Sequence, residues 1–370
     1  MDSSLISRLL DLAVTIQQIP APTFEEQRRA AFVLEKFAAE GLQQVMQDEV
    51  GNVYGCVKGE GNRKPLVVSA HLDTVFPLNT DLRVACESDK IHGPGIGDNS
   101  LGVAGLFGLL WVLRQQGVIL PGDLWLVANV GEEGLGDLRG MRLVTERFGK
   151  QALAFLVVEG MALGQIYHRA LGVRRYRIRV QTTGGHSWVD FGQPSAIHEL
   201  SGLIERFLSI PLPTRPRTTL NVGVIKGGTT VNTIAAHASL ELDLRSESVH
   251  ALSELAGGVE RIAEQANREG VQVTVEVIGD RPAGKIAANH PLIRLGKRNL
   301  EAQGFQANLG IGSTDANIPL SQNLPAMCLG LSHGGGAHTT GEFVLTGPVA
   351  QGLAQLVGVV KGAYQALGEG

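Results

Sequence analysis

The chain has few cysteines, no excess of charge of either sign and no long apolar run. Cys56, Cys86 and Cys328 are the three cysteines in 370 residues. They stand far apart with no C-x-x-C spacing, which excludes a disulfide framework and a thiolate zinc site and fits a reducing compartment. Lys and Arg total 32 against 36 Asp and Glu, a formal net charge of −4 with pI near 6.2. That balance offers no electrostatic footprint for nucleic acid or an anionic membrane. No apolar run reaches the ~20 residues needed to span a bilayer. Met1-Asp2-Ser3-Ser4 lacks a basic stretch followed by an apolar core, so no signal peptide is expected. The expectation is a cytoplasmic protein with neither nucleic acid nor membrane among its partners. No G-x-S-x-G elbow or catalytic cysteine signature is present.

What is present describes an ordinary globular chain, 44% hydrophobic and 18% charged, long enough for two domains. Its 48 glycines are many, and a good share stand beside polar residues where strands should end. Leu5, Leu9, Leu12 and Ile16 have helical spacing, stopped by Pro20-Ala21-Pro22. Thr23-Phe24-Glu25-Glu26 has the form of a capping box, so a second helix should follow to about Gly41. Gln43 to Val57, with Gly51-Asn52 inside, reads as a hairpin. Pro65-Leu66-Val67-Val68 is a buried strand by composition, and it delivers Ser69-Ala70-His71-Leu72-Asp73-Thr74. In open α/β sheets ligands collect beyond the carboxyl ends of such strands, so His71 should stand at the working edge. Asp73 is placed to fix that imidazole, directly or through a metal.

The same pattern recurs. Gly93-Pro94-Gly95-Ile96-Gly97-Asp98-Asn99-Ser100 is a glycine-rich turn feeding the apolar segment Val103 to Leu113. It does not match G-x-G-x-x-G, which argues against a dinucleotide site. Asp98 reads either as a helix cap or as a carboxylate at the rim of a site. The buried strand Leu124 to Val130 ends in Gly131-Glu132-Glu133-Gly134, and Leu153 to Val158 ends in Glu159-Gly160. Paired carboxylates directly after a core strand are unusual, because unpaired buried charge is expensive. Solvated loop acids are the plainer alternative. Successive side chains on an extended segment diverge, so Glu132 and Glu133 should have different roles.

Between about Leu171 and Ile278 polar and apolar residues alternate, as in Tyr176, Ile178, Val180 against Arg177, Arg179, Gln181. Two helical stretches interrupt, giving the order β-α-β-β-α-β of a ferredoxin-like unit, polar on one face as in an antiparallel sheet covered on one side. This predicts a domain over residues 171–279 inserted into a first domain of residues 1–170 and 280–370, with the chain rejoining the first domain from Arg281. Gly310 to Asn317 and the run Gly334-Gly335-Gly336-Ala337-His338-Thr339-Thr340-Gly341-Glu342 follow in the returning part.

His71, Asp73, Asp98, Glu132, Glu133, Glu159 and His338 thus collect at strand ends or the turns beside them. Imidazole plus carboxylate without thiolate suits hydrolytic Zn, Co or Mn centres. More carboxylates than one ion needs suggests two ions with a shared ligand, ~3.5–4 Å apart, and a carboxylate left over would be a general base.

The ordered set S-A-H-L-D-T-V, G-x-G-x-x-D before a helix, G-E-E-G, V-E-G, G-G-H-S and G-G-G-A-H-T-T-G-E resembles the dizinc amidohydrolases related to carboxypeptidase G, aminoacylase, acetylornithine deacetylase, succinyl-diaminopimelate desuccinylase and peptidase T. The resemblance covers nearly the whole chain. It implies an α/β zinc-peptidase catalytic domain with a mixed sheet and an inserted α+β ferredoxin-like domain that serves as lid or dimerisation surface. It implies two Zn2+, with Co2+ or Mn2+ as substitutes. His71 would be a ligand of one ion and Asp98 the bridge, with Glu159 completing the first ion's set and Glu133 and His338 the second's. Glu132 resembles the general base, Asp73 the residue that steadies His71, and His186 the inserted-domain histidine that helps polarise the scissile carbonyl, contributed in dimers by the partner subunit. Asn232, Arg245 and Arg281 are weaker matches to groups that hold a substrate carboxylate. Pro94 and Asn99-Ser100 depart from the Arg and Lys many relatives carry near the bridging aspartate, which bears on substrate preference. The function implied is hydrolysis of an amide bond beside a free carboxylate, in an N-acyl amino acid or a short peptide, with a homodimer through the inserted domain as the expected assembly. An aminopeptidase needing a free substrate amine and a non-catalytic metal-dependent binding protein are the alternatives.

Overall fold

Four short runs of buried apolar residues make the centre of the fold. In the computed structural model, which describes residues 2–368, the strands Gly122–Asn129, Arg63–His71, Ala154–Glu159 and Ala326–Gly330 lie side by side in that order, all parallel. Their apolar residues are almost completely buried, as expected when both faces of a parallel sheet are covered. The hairpin Gln43–Gln47 and Val53–Val57 adds to one side antiparallel, and Gln165–Ala170 to the other, also antiparallel. Asn308–Gly312 then pairs parallel with Gln165–Ala170. The result is a mixed sheet in a mixed α/β fold.

The helix Leu101–Gln115 is apolar all round and packs against that sheet and against the helix Ser3–Gln17. Two of its glycines permit close approach: a Cβ on Gly105 would lie 2.3 Å from Leu331, and one on Gly108 2.4 Å from Leu9. Contrary to the expectation that no apolar run is long enough to span a bilayer, Ile96–Gln115 is long and apolar enough by length and composition. Its residues are buried inside the protein, so its apolarity is that of a core helix.

Two local expectations fail. The capping box at Thr23 does not form: the helix begins at Gln27 with no side-chain cap. The Thr23 hydroxyl donates instead to Asp73 Oδ2 at 2.9 Å, and Glu26 accepts from the amide of Phe24 and from Arg139. Asp98 likewise caps nothing, since the helix at Leu101 starts without a side-chain bond. A tertiary partner has outcompeted the local one in both cases.

The chain divides into two units, Met1–Ala170 with Lys285–Gly370, and Leu171–Gly284. Arg281, expected in the returning segment, ends a strand of the second unit. That unit is a four-stranded antiparallel sheet in the order Thr218–Gly227, His237–Ser246, Gly172–Thr182, Val271–Arg281. The helices Ala196–Leu208 and Val249–Glu264 cover one face over Tyr176, Ile178, Leu240 and Leu242. The opposite face is laced with ion pairs, including Arg177 to Glu241 at 2.9 Å and Arg179 to Glu276 at 2.7 Å.

On that face Asp243 accepts from Arg175 Nε at 2.9 Å and Arg245 Nε at 2.7 Å. Burial alone would raise its pKa, but the Arg245 and Arg175 hydrogen bonds outweigh it and hold the carboxyl below its ordinary value. A depressed folded pKa contributes stability above the unfolded value of about 3.9, and that contribution is lost as pH falls through the folded value. Asp243→Asn is therefore expected to lower stability by about 1 kcal/mol or less at pH 7 and by less than that near pH 3. Urea unfolding at the two pH values checks this, and an equal deficit at both would contradict it.

Candidate metal centre

Register explains why distant residues meet. His71 is the last residue of its strand and lies level with Asn129 on the parallel neighbour, from which Val130 to Glu133 continue. Glu159 ends the next strand, level with Gly330. All three segments therefore leave the sheet at its carboxyl edge. A separate small sheet supplies the other two groups. Its strands Lys90–His92 and Phe343–Leu345 pair antiparallel, with Gly334–Gly335 beside the latter. The turn bearing Asp98 follows the first strand, and the loop bearing His338 lies between the other two.

The five expected metal ligands come together. His71 Nε2 lies 3.0 Å from Asp98 Oδ1 and 3.6 Å from Glu159 Oε2. His338 Nε2 lies 3.1 Å from Asp98 Oδ2 and 3.2 Å from Glu133 Oε1. Asp98 thus offers one oxygen to each imidazole. Ligand atoms of His71, Asp98 and Glu133 all fall within 4.8 Å of one another. Glu132 and Glu133 are both buried, 6% and 5% exposed, which rules out solvated loop acids.

Asp73 lies against both His71 and the turn that carries Glu132 and Glu133. His71 Nδ1 faces the main-chain carbonyl of Asp73 at 3.0 Å, with the carboxylate farther off at 3.6 Å. The buried carboxylate also accepts the amides of Glu132 and Glu133, each at 2.9 Å. Asn99, beside Asp98, does the same for Glu159: its amide donates to Val158 O at 2.8 Å and accepts from Gly160 N at 2.9 Å.

The electrostatics call for a cation. Burial opposes a charged His71, yet Asp73, Asp98 and Glu159 hold its pKa well above the ordinary value. Asp98 and Glu133 hold His338 up to about 10. Burial drives Asp98 up, but the His338 and His71 imidazoles keep it below the usual carboxylate range. Glu133 and Glu159 are pushed up, chiefly by burial. If Nδ1 of His71 donates to a carbonyl, the lone pair on Nε2 points at carboxylate oxygens. Such an arrangement requires a proton or a metal ion between them. Imidazoles and carboxylates without thiolate fit Zn2+ and its harder neighbours.

Sequence reasoning missed four supporting residues. Glu342, fully buried, accepts the amides of Gly95, Gly97 and Asp98 at 3.1, 2.8 and 2.8 Å; burial pushes its pKa up to about 7. It stands in the G-G-G-A-H-T-T-G-E stretch, four residues after His338, which was its signal. Asn129 donates to buried Asp315 at 2.6 Å, and burial raises Asp315 to about 7. Asn99 had no signal beyond its position.

The remaining expected site residues lie in the second unit. His186 Nδ1 accepts the amides of Trp188 and Val189 at 3.2 and 3.4 Å, so its neutral ring carries the proton on Nε2. The carbonyl of Asn232 accepts the amide of Ser187 at 3.0 Å, which puts Asn232 beside His186. Arg245 and Arg281 are elsewhere: both are level with Val173, one on each neighbouring strand. His186 follows the far end of that strand, beyond Thr182. Nine residues at roughly 3.3 Å each separate the two places by ~30 Å. Trp188, Val189 and Phe191 are 86%, 75% and 90% exposed.

Residues 67–362 match the model of peptidase family M20/M25/M40. The chain belongs to that family. A peptidase M20 domain-containing protein of Schizosaccharomyces pombe is 30% identical over 214 residues, 55% of this chain and 50% of that one. Carboxypeptidase G2 of a Pseudomonas species is 28% identical over 239 residues, 63% of this chain and 56% of that one. The matches thus span about half the length of these two M20 relatives. A solved tripeptidase from Staphylococcus aureus superposes with a TM-score of 0.82 at 23% identity, covering 97% of this chain and 98% of that one; this likeness concerns the fold.

Proposed function

We propose that this chain is a two-metal hydrolase that cleaves an amide bond next to a free carboxylate, in an N-acyl amino acid or a short peptide. The observation that carries the reading is the convergence of His71, Asp98, Glu133, Glu159 and His338 at one sheet edge, with Asp98 turned to both imidazoles. His71, Asp98 and Glu159 would hold one divalent cation, Zn2+ or its substitutes Co2+ and Mn2+, and Asp98, Glu133 and His338 the other. Bound there, such a pair supplies Lewis acidity toward a carbonyl oxygen and lowers the pKa of water.

The chain's own groups do the rest. The Glu132 carboxylate takes the proton of the attacking water and returns it to the leaving nitrogen. The Asp73 carboxylate holds the main chain of Glu132 and Glu133 in place. The Nε2–H of His186 donates to the carbonyl oxygen as charge develops on it. A guanidinium from the Arg245 and Arg281 row pairs with the substrate carboxylate. The test is metal analysis of His71→Ala and His338→Ala, each of which should hold less than the wild-type metal. Unchanged stoichiometry in both would remove these residues from the site. Substrates with one side chain, offered acylated and with a free amine, separate this reading from an aminopeptidase. A panel that gives no turnover with Zn2+, Co2+ or Mn2+ would favour a metal-dependent binding protein.

The inserted ferredoxin-like unit serves in this reading as lid and dimerisation surface. Two features support it. One small substrate does not span the ~30 Å between His186 and the arginine row of a single chain, whereas two copies can offer one group each. The near-complete exposure of Trp188, Val189 and Phe191 is also costly for a monomer. Light scattering is expected to give twice the 39.3 kDa chain mass, and Trp188→Ser with Phe191→Ser to shift the protein toward monomer. A monomeric wild type would sink the dimer.

A further inference from the structure

The turn that carries Asp98 is wrapped around one carboxylate that comes from another part of the chain. Glu342 Oε1 accepts the amides of Gly97 and Asp98, each at 2.8 Å, and Oε2 accepts Gly95 at 3.1 Å. Its own carbonyl accepts the amide of Gly93 at 2.9 Å. Four amides of the six-residue stretch 93–98 therefore end on Glu342. Successive amides pointing inward make a concavity that binds an anion, and here the anion is built in.

The glycines are what let the turn close. Gly95 has φ +74°, a left-handed conformation. A Cβ on Gly97 would lie 2.4 Å from Met161 and 2.8 Å from Val344. The turn is thus held between a carboxylate on its inner side and packed side chains on its outer side. Asp98 is at the end of this clamp, and its two oxygens diverge to His71 and His338. A carboxylate shared by two cations must be fixed in rotation as well as in place, because a small twist withdraws one oxygen from one ion. The loop that contributes His338 also contributes Glu342, and the Glu342 amide closes that loop on Thr339 O at 3.2 Å.

We propose that Glu342 is a positioning residue: it sets the orientation of Asp98 toward both cations without touching either, and ties the His338 ligand to the same frame. The inference rests on the two-metal reading above. It assigns to Glu342 a share of the metal affinity, not only of the stability of the fold. Outer-shell groups of this kind are commonly worth ~10–100-fold in affinity.

The test uses metal-free full-length protein and Zn2+ itself, titrated in competition with a chromophoric chelator, with apo-protein unfolding followed in parallel. Glu342→Gln keeps the shape and one acceptor oxygen but turns an NH2 group toward at least one amide, so it should fold and bind Zn2+ about 10-fold more weakly. Glu342→Ala removes both acceptor oxygens, and with them all three hydrogen bonds, and should weaken binding further, toward 100-fold. Leu356→Ala, in the buried closing helix, is the control: it lowers stability and should keep wild-type affinity. If Glu342→Gln binds Zn2+ as the wild type does, or if Leu356→Ala weakens binding equally, the assignment is overturned. Wild-type protein that takes up no Zn2+ at all would overturn the two-metal reading and this inference with it. Glu342→Gln carries the result even if Glu342→Ala does not fold.

Discussion

Glu132→Gln is expected to lower kcat by about 10³-fold while leaving the metal content unchanged, since a positioned general base contributes ~10²–10⁴-fold. A thousandfold corresponds to about 4 kcal/mol of barrier. The substitution isolates proton transfer. Gln has nearly the same volume as Glu and keeps an acceptor oxygen, but it cannot take a proton from water. The main-chain contact that holds this residue, its amide to Asp73 Oδ1 at 2.9 Å, survives the change. Glu132 is not one of the five groups proposed as ligands, so the ions should remain. Steady-state kinetics beside metal analysis checks both halves. Full activity in the variant would remove Glu132 from the chemistry, and loss of metal would move it into the coordination shell.

Asp73→Asn is expected to damage both stability and turnover. Three donors converge on this carboxylate: the amides of Glu132 and Glu133 and the hydroxyl of Thr23, each at 2.9 Å. The residue is fully buried. An asparagine must turn its NH2 toward an amide donor on one side or the other, and no water can make good the loss. Hydrogen bonds to a charged group are worth ~1.5–3 kcal/mol each, so a stability loss of about 3 kcal/mol is expected. The same loosening frees the loop that aims Glu132 and Glu133. Misplacement by about 1 Å costs on the order of 10²-fold, and kcat/KM should fall by at least that. Unfolding curves and kinetics on the same preparation test the pair, and a stable but inactive variant would point to a direct chemical role. A stable and active one would refute the anchor.

The parts of this protein legible in its sequence are those where one residue's neighbours along the chain decide its place. Leu66-Val67-Val68 can only be a buried strand, and whatever follows it must stand at the strand's end; so His71 was readable, as were Glu133 and Glu159. The alternation from Tyr176 to Val180 sorts itself between a packed and a solvated face for the same reason. What was not legible depends on partners far away. Thr23 and Glu26 form a good local cap on paper, but Asp73 and Arg139 take them. Asp98 looks like a cap and is instead held between two imidazoles. Nothing near Asn99 says that its amide will brace Glu159, and the length of the strand ending at Arg281 follows from pairing with Gly172–Thr182, which no local rule supplies.

The place of Ala326–Gly330 in the main sheet has a consequence for synthesis. This strand sits directly against Ala154–Glu159 in the middle of the parallel array, yet it is made only after the whole inserted unit has been translated. Until then the strand bearing Glu159 lacks one neighbour, and His338 comes later still. A growing chain therefore holds most of its acids and one imidazole on the ribosome without a finished cavity to put them in. The cluster of carboxylates and imidazoles is assembled late, by long-range closure, which is slow, and it is complete only once the loop bearing His338 has been made.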